Sequence, residues 1–210
     1  MKNAEYIRTE KSCIRAGERL TVGNFCVLPV RLLGKGKGGY SWLAEISVQD
    51  AGSGAQKMPA VLKQLHHEPC AYYAFGDKFA AEMSDYNTLR ALSVLLPELL
   101  ASDRARELLL KTYISGKNVM DLARERRVPP AALEQVSVLA ERLCKAGWNL
   151  DWWPTNFILR ETDGKIFYVD YECNAFDGRW SFPHWGRRVW IEGDGEYRES
   201  MKEVLEEGKS

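Results

Sequence analysis

Long hydrophobic runs are missing from this sequence: stretches such as Val94-Leu95-Leu96 are only a few residues long, against the roughly 20 that a bilayer-spanning helix needs. A membrane-spanning helix is excluded. An excess of charge of one sign is missing as well. Lys plus Arg number 29 and Asp plus Glu 29, a formal net charge of zero, so no global field draws in a polyanion, and neither nucleic acid nor a membrane is expected as a partner. The amino-terminal stretch of residues 1–11 is charged throughout and lacks an apolar segment, so it does not read as a secretory signal and a cytoplasmic location is expected. Cysteines are few, five at positions 13, 26, 70, 144 and 173, with no Cys-x-x-Cys pair. That argues against a disulfide framework, a zinc site or a redox dithiol, and they read as reduced thiols. His66 and His67 near Cys70 have metal-like composition, but adjacent side chains diverge and no second ligand cluster lies elsewhere, so no metal is expected there. Repeats and low-complexity tracts are also absent.

What is present is a globular composition, 45% hydrophobic and 28% charged over 210 residues, enough to bury a core in one or two lobes. Residues 25–33 and 40–48 are β-type runs on either side of a glycine-rich turn. A second turn at 50–54 leads to a third run at 59–65, which predicts a three-stranded meander. Phe79, Met83, Tyr86, Leu89 and Leu92 recur at helical spacing over 77–92, with Glu82 and Asp85 on the polar face. A strand is expected over 108–114 and a short helix over 118–126. A second amphipathic helix is expected over 129–146, with Gly147 at its end as a left-handed cap. Two short β runs at 156–160 and 165–170 flank Glu161-Thr-Asp-Gly164, a good hairpin turn. The stretch from 177 is rich in Trp and Arg and ends in a charged helix from about Glu196.

Gly34, Gly36 and Gly39 satisfy G-x-G-x-x-G, a weak signal alone. A strand-like run follows it instead of the helix a dinucleotide fingerprint requires, and Tyr40-Ser41 stands where a Walker loop has Lys and Ser/Thr. A glycine loop between antiparallel strands instead suits backbone N–H groups laid over nucleotide phosphates. Three further segments follow in order. Ala60-Val-Leu-Lys63 is one, with Glu82 placed 19 residues beyond the lysine. Asp151-Trp-Trp-Pro-Thr-Asn156 is the second. Asp170-Tyr-Glu172 is the third, beginning 14 residues after Asn156.

On these segments, spanning about Val30 to Tyr171, the sequence resembles the protein-kinase-like superfamily, in particular compact atypical bacterial kinases with a truncated C-lobe. The resemblance implies an α+β, kinase-like bilobal fold. Its N-lobe, 1–114, would hold an antiparallel sheet and one helix, and 115–210 would form a reduced helical C-lobe. It implies ATP and Mg²⁺ as cofactors, with Gly34, Gly36, Gly39 and Lys63 at the phosphates and Glu82 as the lysine's partner. Thr112 and Ile114 would sit at the adenine edge, Asn156 and Asp170 would be Mg²⁺ ligands, and Asp151 would orient the acceptor hydroxyl.

There are also departures from the pattern. Asn149 and Leu150 replace the usual His-Arg before the catalytic aspartate, Trp153 stands for a phosphate-contacting lysine, and Glu172 for a glycine. Lys35 or Lys37 is a possible substitute for that lysine, and Glu172 adds a carboxylate near the metal pair. No Ala-Pro-Glu segment appears among the 38 residues after Glu172, so the acceptor is expected to be a small molecule or one dedicated macromolecule, not generic peptides. The alternative reading is a nucleotide-binding pseudokinase or an ATPase-type assembly factor. A third is a non-catalytic interaction module. The acceptor and the oligomeric state are not written in the sequence. Six of the seven tryptophans lie in the last third, beside Arg179, Arg187 and Arg188. They are expected mainly to complete a small core, while the arginines are candidate anchors for an anionic acceptor.

Overall fold

The computed structural model describes residues 14–48, 56–68 and 76–195. Cys13, Cys70, the turn expected at 50–54 and the helix expected from Glu196 lie outside the described residues. The chain is mixed α+β with antiparallel sheets and divides into two compact units. One comprises Met1–Glu82 with Pro97–Tyr113, the other Met83–Leu96 with Ile114–Ser210. The division falls inside helix α1 (Lys78–Ala91), after Glu82.

In the first unit the expected meander is the middle of a larger sheet. Strands β2 (Phe25–Lys35), β3 (Gly39–Val48) and β4 (Met58–Leu65) are joined by β1 (Leu20–Val22) at one edge. At the other, β6 (Leu108–Thr112) pairs with β4 and β5 (Leu99–Asp103) pairs with β6. The order is β1-β2-β3-β4-β6-β5. Alternation along β4 sends Ala60 and Leu62 into a core with Val22, Val27, Ala44, Ile46, Leu108 and Leu110. Lys63 leaves on the opposite face, because successive side chains point to opposite sides of a strand. Each fully buried Leu or Ile contributes roughly 1.5–3 kcal/mol. β2 carries two irregularities in its pairing with β3, at Pro29/Arg31 and Leu32/Gly34. Such bulges bend a strand, and here they precede the glycine turn.

The second unit packs α3 (Pro130–Lys145) through Ala132, Val136, Ala140 and Leu143 against Trp152, Phe157, Tyr168, Phe182 and Trp190. Pro130 opens the helix, where its missing N–H costs nothing. Gly147 follows the last turn at φ 79°, the left-handed position expected for it. α2 (Val119–Arg124) is capped by Asn118, whose Oδ1 accepts the Met120 N–H at 2.9 Å. β9 (Phe157–Arg160) and β10 (Ile166–Tyr168) form the expected hairpin, and β7 (Gly116–Asn118) joins the other side of β9. β8 (Trp148–Leu150) pairs with β11 (Cys173–Ala175). After β11 come a 3₁₀ turn at Gly178–Trp180, a π-helical turn at Phe182–Gly186 and α4 (Arg187–Glu192).

The tryptophans divide. Trp152 and Trp190 are fully enclosed, Trp148 and Trp185 pack on the same core, and Trp180 is 56% exposed. Trp152 stacks on Phe157 with an interplanar angle of 5°, and Trp190 meets both Phe157 and Phe182 edge to face. The π-helical turn reaches this cluster only because residue 186 has no side chain: a Cβ there would lie 2.6 Å from the Trp152 Cβ and 2.9 Å from the Phe182 ring. Gly186→Ala is therefore expected to destabilise the second unit by roughly 1–3 kcal/mol, the usual cost of overpacking. Urea denaturation followed by tryptophan fluorescence checks it, and an unchanged midpoint would refute the packing argument.

Candidate functional site

In the first unit the residues singled out from the sequence gather around the end of β4. Lys63 Nζ lies 2.7 Å from Glu82 Oε1, and both side chains are nearly buried, at 11% and 10% exposure. Such a pair is a poor stabiliser, because desolvating two charges offsets most of their attraction. The pair holds the Lys63 ammonium in a fixed place within the first unit.

The glycine turn closes beside it. Gly34 belongs to β2 and pairs with Ser41. Gly39 opens β3, and the Gly36 N–H donates to the Gly39 carbonyl at 2.9 Å. None of these glycines takes a positive φ, and only Gly39 is demanded by the chain itself, since a Cβ there would collide with the Gln64 carbonyl. Gly34 and Gly36 have open space where a Cβ would go, and one at Gly38 would lie 3.9 Å from Lys63 Nζ. Glycine in a strand costs about 0.5–1 kcal/mol relative to alanine, and among the described residues nothing lies within 4 Å of where a Cβ would stand at Gly34 or Gly36.

Several neighbours of the turn were not singled out as site residues. Lys78 Nζ donates to the His66 carbonyl at 2.5 Å and the Lys37 carbonyl at 3.3 Å. His66 Nε2 lies 2.9 Å from the Gly36 carbonyl. His67 points elsewhere, to Glu107 at 2.8 Å. Lys35 is held by Glu68 at 2.5 Å, and Tyr40 donates to the same carboxylate at 2.8 Å. The hydrogen bond to Glu68 raises the Lys35 ammonium above its ordinary range, and those from Lys35 and Tyr40 lower the Glu68 carboxyl. Thr112, expected at an adenine edge, already donates its N–H to the Glu98 carbonyl at 2.9 Å, and its Oγ1 accepts the Glu98 N–H. That N–H is spent. Ile114, in the second unit, lies in the irregular stretch 113–115, outside any ladder.

The second unit brings Asp151, Asn156 and Asp170 together. Asp151 follows β8, and its Oδ1 accepts the Trp153 N–H at 3.1 Å. Pro154 then starts a 3₁₀ turn that ends at Asn156, whose Nδ2 donates to the Asp151 carbonyl at 3.3 Å. This occupies the amide nitrogen, and Oδ1 is the acceptor of the side chain. The Val169 N–H donates to the Asn156 carbonyl at 2.8 Å, which sets Asp170 alongside, and Asp170 Oδ1 accepts the Tyr171 N–H at 2.9 Å.

Beneath them Tyr168 is fully enclosed. Its hydroxyl donates to the Glu172 carbonyl at 2.9 Å and is hydrogen-bonded to the Asp151 backbone. Burial, then the nearby Asp170, Asp151 and Glu172 carboxylates, hold its phenol well above the ordinary range, so it remains a neutral strut. Asn149 is buried as a second strut. It donates to the Trp180 carbonyl at 2.9 Å and accepts from Trp152 Nε1 at 2.8 Å. Cys173 is pushed up to about 12 by burial and then by Asp85, so it stays a thiol and is no nucleophile.

Hard oxygens are the donor set that suits Mg²⁺, which takes one or two protein carboxylates together with phosphate and water oxygens. Asn156 Oδ1 and the Asp170 carboxylate fit that demand. Among the described residues no three His, Cys, Asp or Glu side chains come together to hold a metal ion. The chain matches no protein-family model and no curated protein. Glu172 Oε1 accepts from Asn174 at 3.4 Å. Of the three arginines, Arg179 is held bidentately by Asp177 and Arg188 by Glu192. Arg187 is exposed, with no ion-pair partner among the described residues.

Proposed function

We propose that this protein is an ATP- and Mg²⁺-dependent phosphotransferase with a kinase-like bilobal fold, acting on the hydroxyl of a small molecule or of one dedicated macromolecular partner. The observation that carries the reading is the near-buried Lys63–Glu82 pair at 2.7 Å, formed between β4 and α1 beside the glycine turn. The open glycines at 34 and 36 support it, because a backbone without side chains admits a polyphosphate.

Lys63, held by Glu82, would pair with phosphate oxygens, and the turn would offer backbone N–H groups to them. Asn156 and Asp170 would hold Mg²⁺, whose charge offsets that of the phosphates. Asp151, anchored by the Trp153 N–H, would orient the acceptor hydroxyl and take its proton. Residues 173–192 form only short elements, β11, two turns and α4. None resembles a segment for holding extended peptides, so a loosely bound peptide would lose the positioning on which phosphoryl transfer depends.

ATP is expected to stabilise the folded protein, more strongly with Mg²⁺ than without. At 100 Kd the linkage amounts to roughly 2.7 kcal/mol. A thermal-shift titration of nucleotide-free protein reads this directly, and no shift at millimolar Mg·ATP would remove the nucleotide reading.

A further inference from the structure

Lys78 is a charged side chain only 6% exposed, and the chemistry proposed above makes no use of it. It opens α1 one turn before Glu82. Residues four apart leave a helix on the same face, so one face of α1 sends an ammonium to the glycine turn and a carboxylate to Lys63. Three successive carbonyls of that turn are each taken up by a donor of the first unit. The Gly36 carbonyl is 2.9 Å from His66 Nε2, the Lys37 carbonyl accepts from Lys78 Nζ at 3.3 Å, and the Gly38 carbonyl accepts the His66 N–H at 3.3 Å.

Because a carbonyl only accepts, Nε2 of His66 must carry a proton, while Nδ1 accepts the Glu68 N–H at 3.3 Å. The ring is seated edge to face against Tyr40, and Lys78 also grips the His66 carbonyl at 2.5 Å. Carbonyl oxygens repel an approaching phosphate, whereas N–H groups attract it. A turn whose three carbonyls are collected by the chain has none left to oppose an anion.

We propose that Lys78 and His66 are the positioning residues of a polyphosphate-binding turn. They gather the carbonyls of residues 36–38 and keep the turn at Lys63, and through α1 they couple its position to the Lys63–Glu82 pair. The inference rests on the nucleotide reading and adds a specific claim: the two residues set affinity for the phosphates and not for the nucleoside.

The test compares ATP and adenosine binding by calorimetry, together with hydrogen exchange of residues 36–39, in wild type, Lys78→Met, His66→Leu and His66→Gln. Lys78→Met keeps the aliphatic stem, and the Gln amide can still donate from about the position of Nε2. Lys78→Met and His66→Leu should weaken ATP at least tenfold, leave adenosine within twofold and speed exchange at 36–39, while His66→Gln recovers most of the ATP affinity. A merely structural role would lower ATP and adenosine affinity together, and that result overturns the proposal. So does unchanged ATP affinity in a folded Lys78→Met protein. Should that variant fail to fold, the contrast between His66→Leu and His66→Gln decides by the same criteria. A wild-type protein that binds neither ligand removes the nucleotide reading itself. Intact wild-type ATP binding with unchanged exchange in the variants removes the positioning role alone.

Discussion

Replacing Asp151 by Asn is expected to leave Mg·ATP binding within about twofold of wild type while turnover falls on the order of 10²–10⁴-fold, the usual worth of a positioned general base. The substitution is close to neutral for local structure. An asparagine Oδ1 can still accept the Trp153 N–H that Asp151 accepts at 3.1 Å, and the Asp151 carbonyl that binds Asn156 is untouched. What disappears is a group able to take a proton. Asp170→Asn should behave in the opposite order, weakening Mg·ATP binding first, because a carboxylate next to Asn156 is exchanged for a neutral amide where a hard cation needs charge. Calorimetry alongside a coupled ADP-release assay separates the two. Wild-type turnover in Asp151→Asn would show the assignment of that residue to be wrong.

The largest effect on stability is expected at Trp190. Its side chain is wholly buried between Phe157 and Phe182, and its indole N–H donates to the Trp152 carbonyl at 2.8 Å. Truncation to alanine leaves a cavity and strands that carbonyl, costing about 3–5 kcal/mol for the ring and roughly another 1 for the hydrogen bond. Domains of this size have about 5–15 kcal/mol in hand, so Trp190→Ala should unfold the second unit or bring it near its limit. Trp180→Ala is the control, since a ring 56% exposed is expected to matter by no more than about 0.5 kcal/mol. Urea midpoints for the two variants test this, and equal midpoints would contradict the packing described.

The parts of the fold legible in the sequence are those whose signal is local. β2, β3 and β4 announce themselves by β-type runs between glycine turns, and α1 and α3 by apolar residues at helical spacing. β1, β7, β8 and β11 are three-residue strands, too short to carry a period and defined only by the partner they meet. β5, Leu99–Asp103, continues a leucine-rich stretch that has no alternation, and its pairing with β6 includes an irregularity at Leu99/Ala101.

The candidate site divides in the same way. The pairing of Lys63 with Glu82 was expected only through the resemblance to kinase-like proteins, and the two side chains do meet. Lys78 and His66 could not be matched from the sequence, since their carbonyl partners lie 41 and 30 residues away in sequence. Nor could Tyr168 and Asn149, because the partners of their side chains, the Glu172 carbonyl for one and the Trp180 carbonyl and Trp152 indole for the other, are met only in the fold. Thr112, placed at an adenine edge by the resemblance alone, is bonded to Glu98 through both its side chain and its backbone N–H.

The uneven placement of tryptophan has a spectroscopic consequence. Trp42 is the single indole of the first unit, and the other six belong to the second. Emission from this protein therefore reports almost entirely on residues 83–96 and 114–210, with Trp152 and Trp190 shielded from aqueous quenchers and Trp180 open to them. In Trp42→Phe the first unit would be dark, so fluorescence would follow the second alone while circular dichroism followed both. Disagreement between those two melting curves would mean that the units do not unfold as one cooperative block.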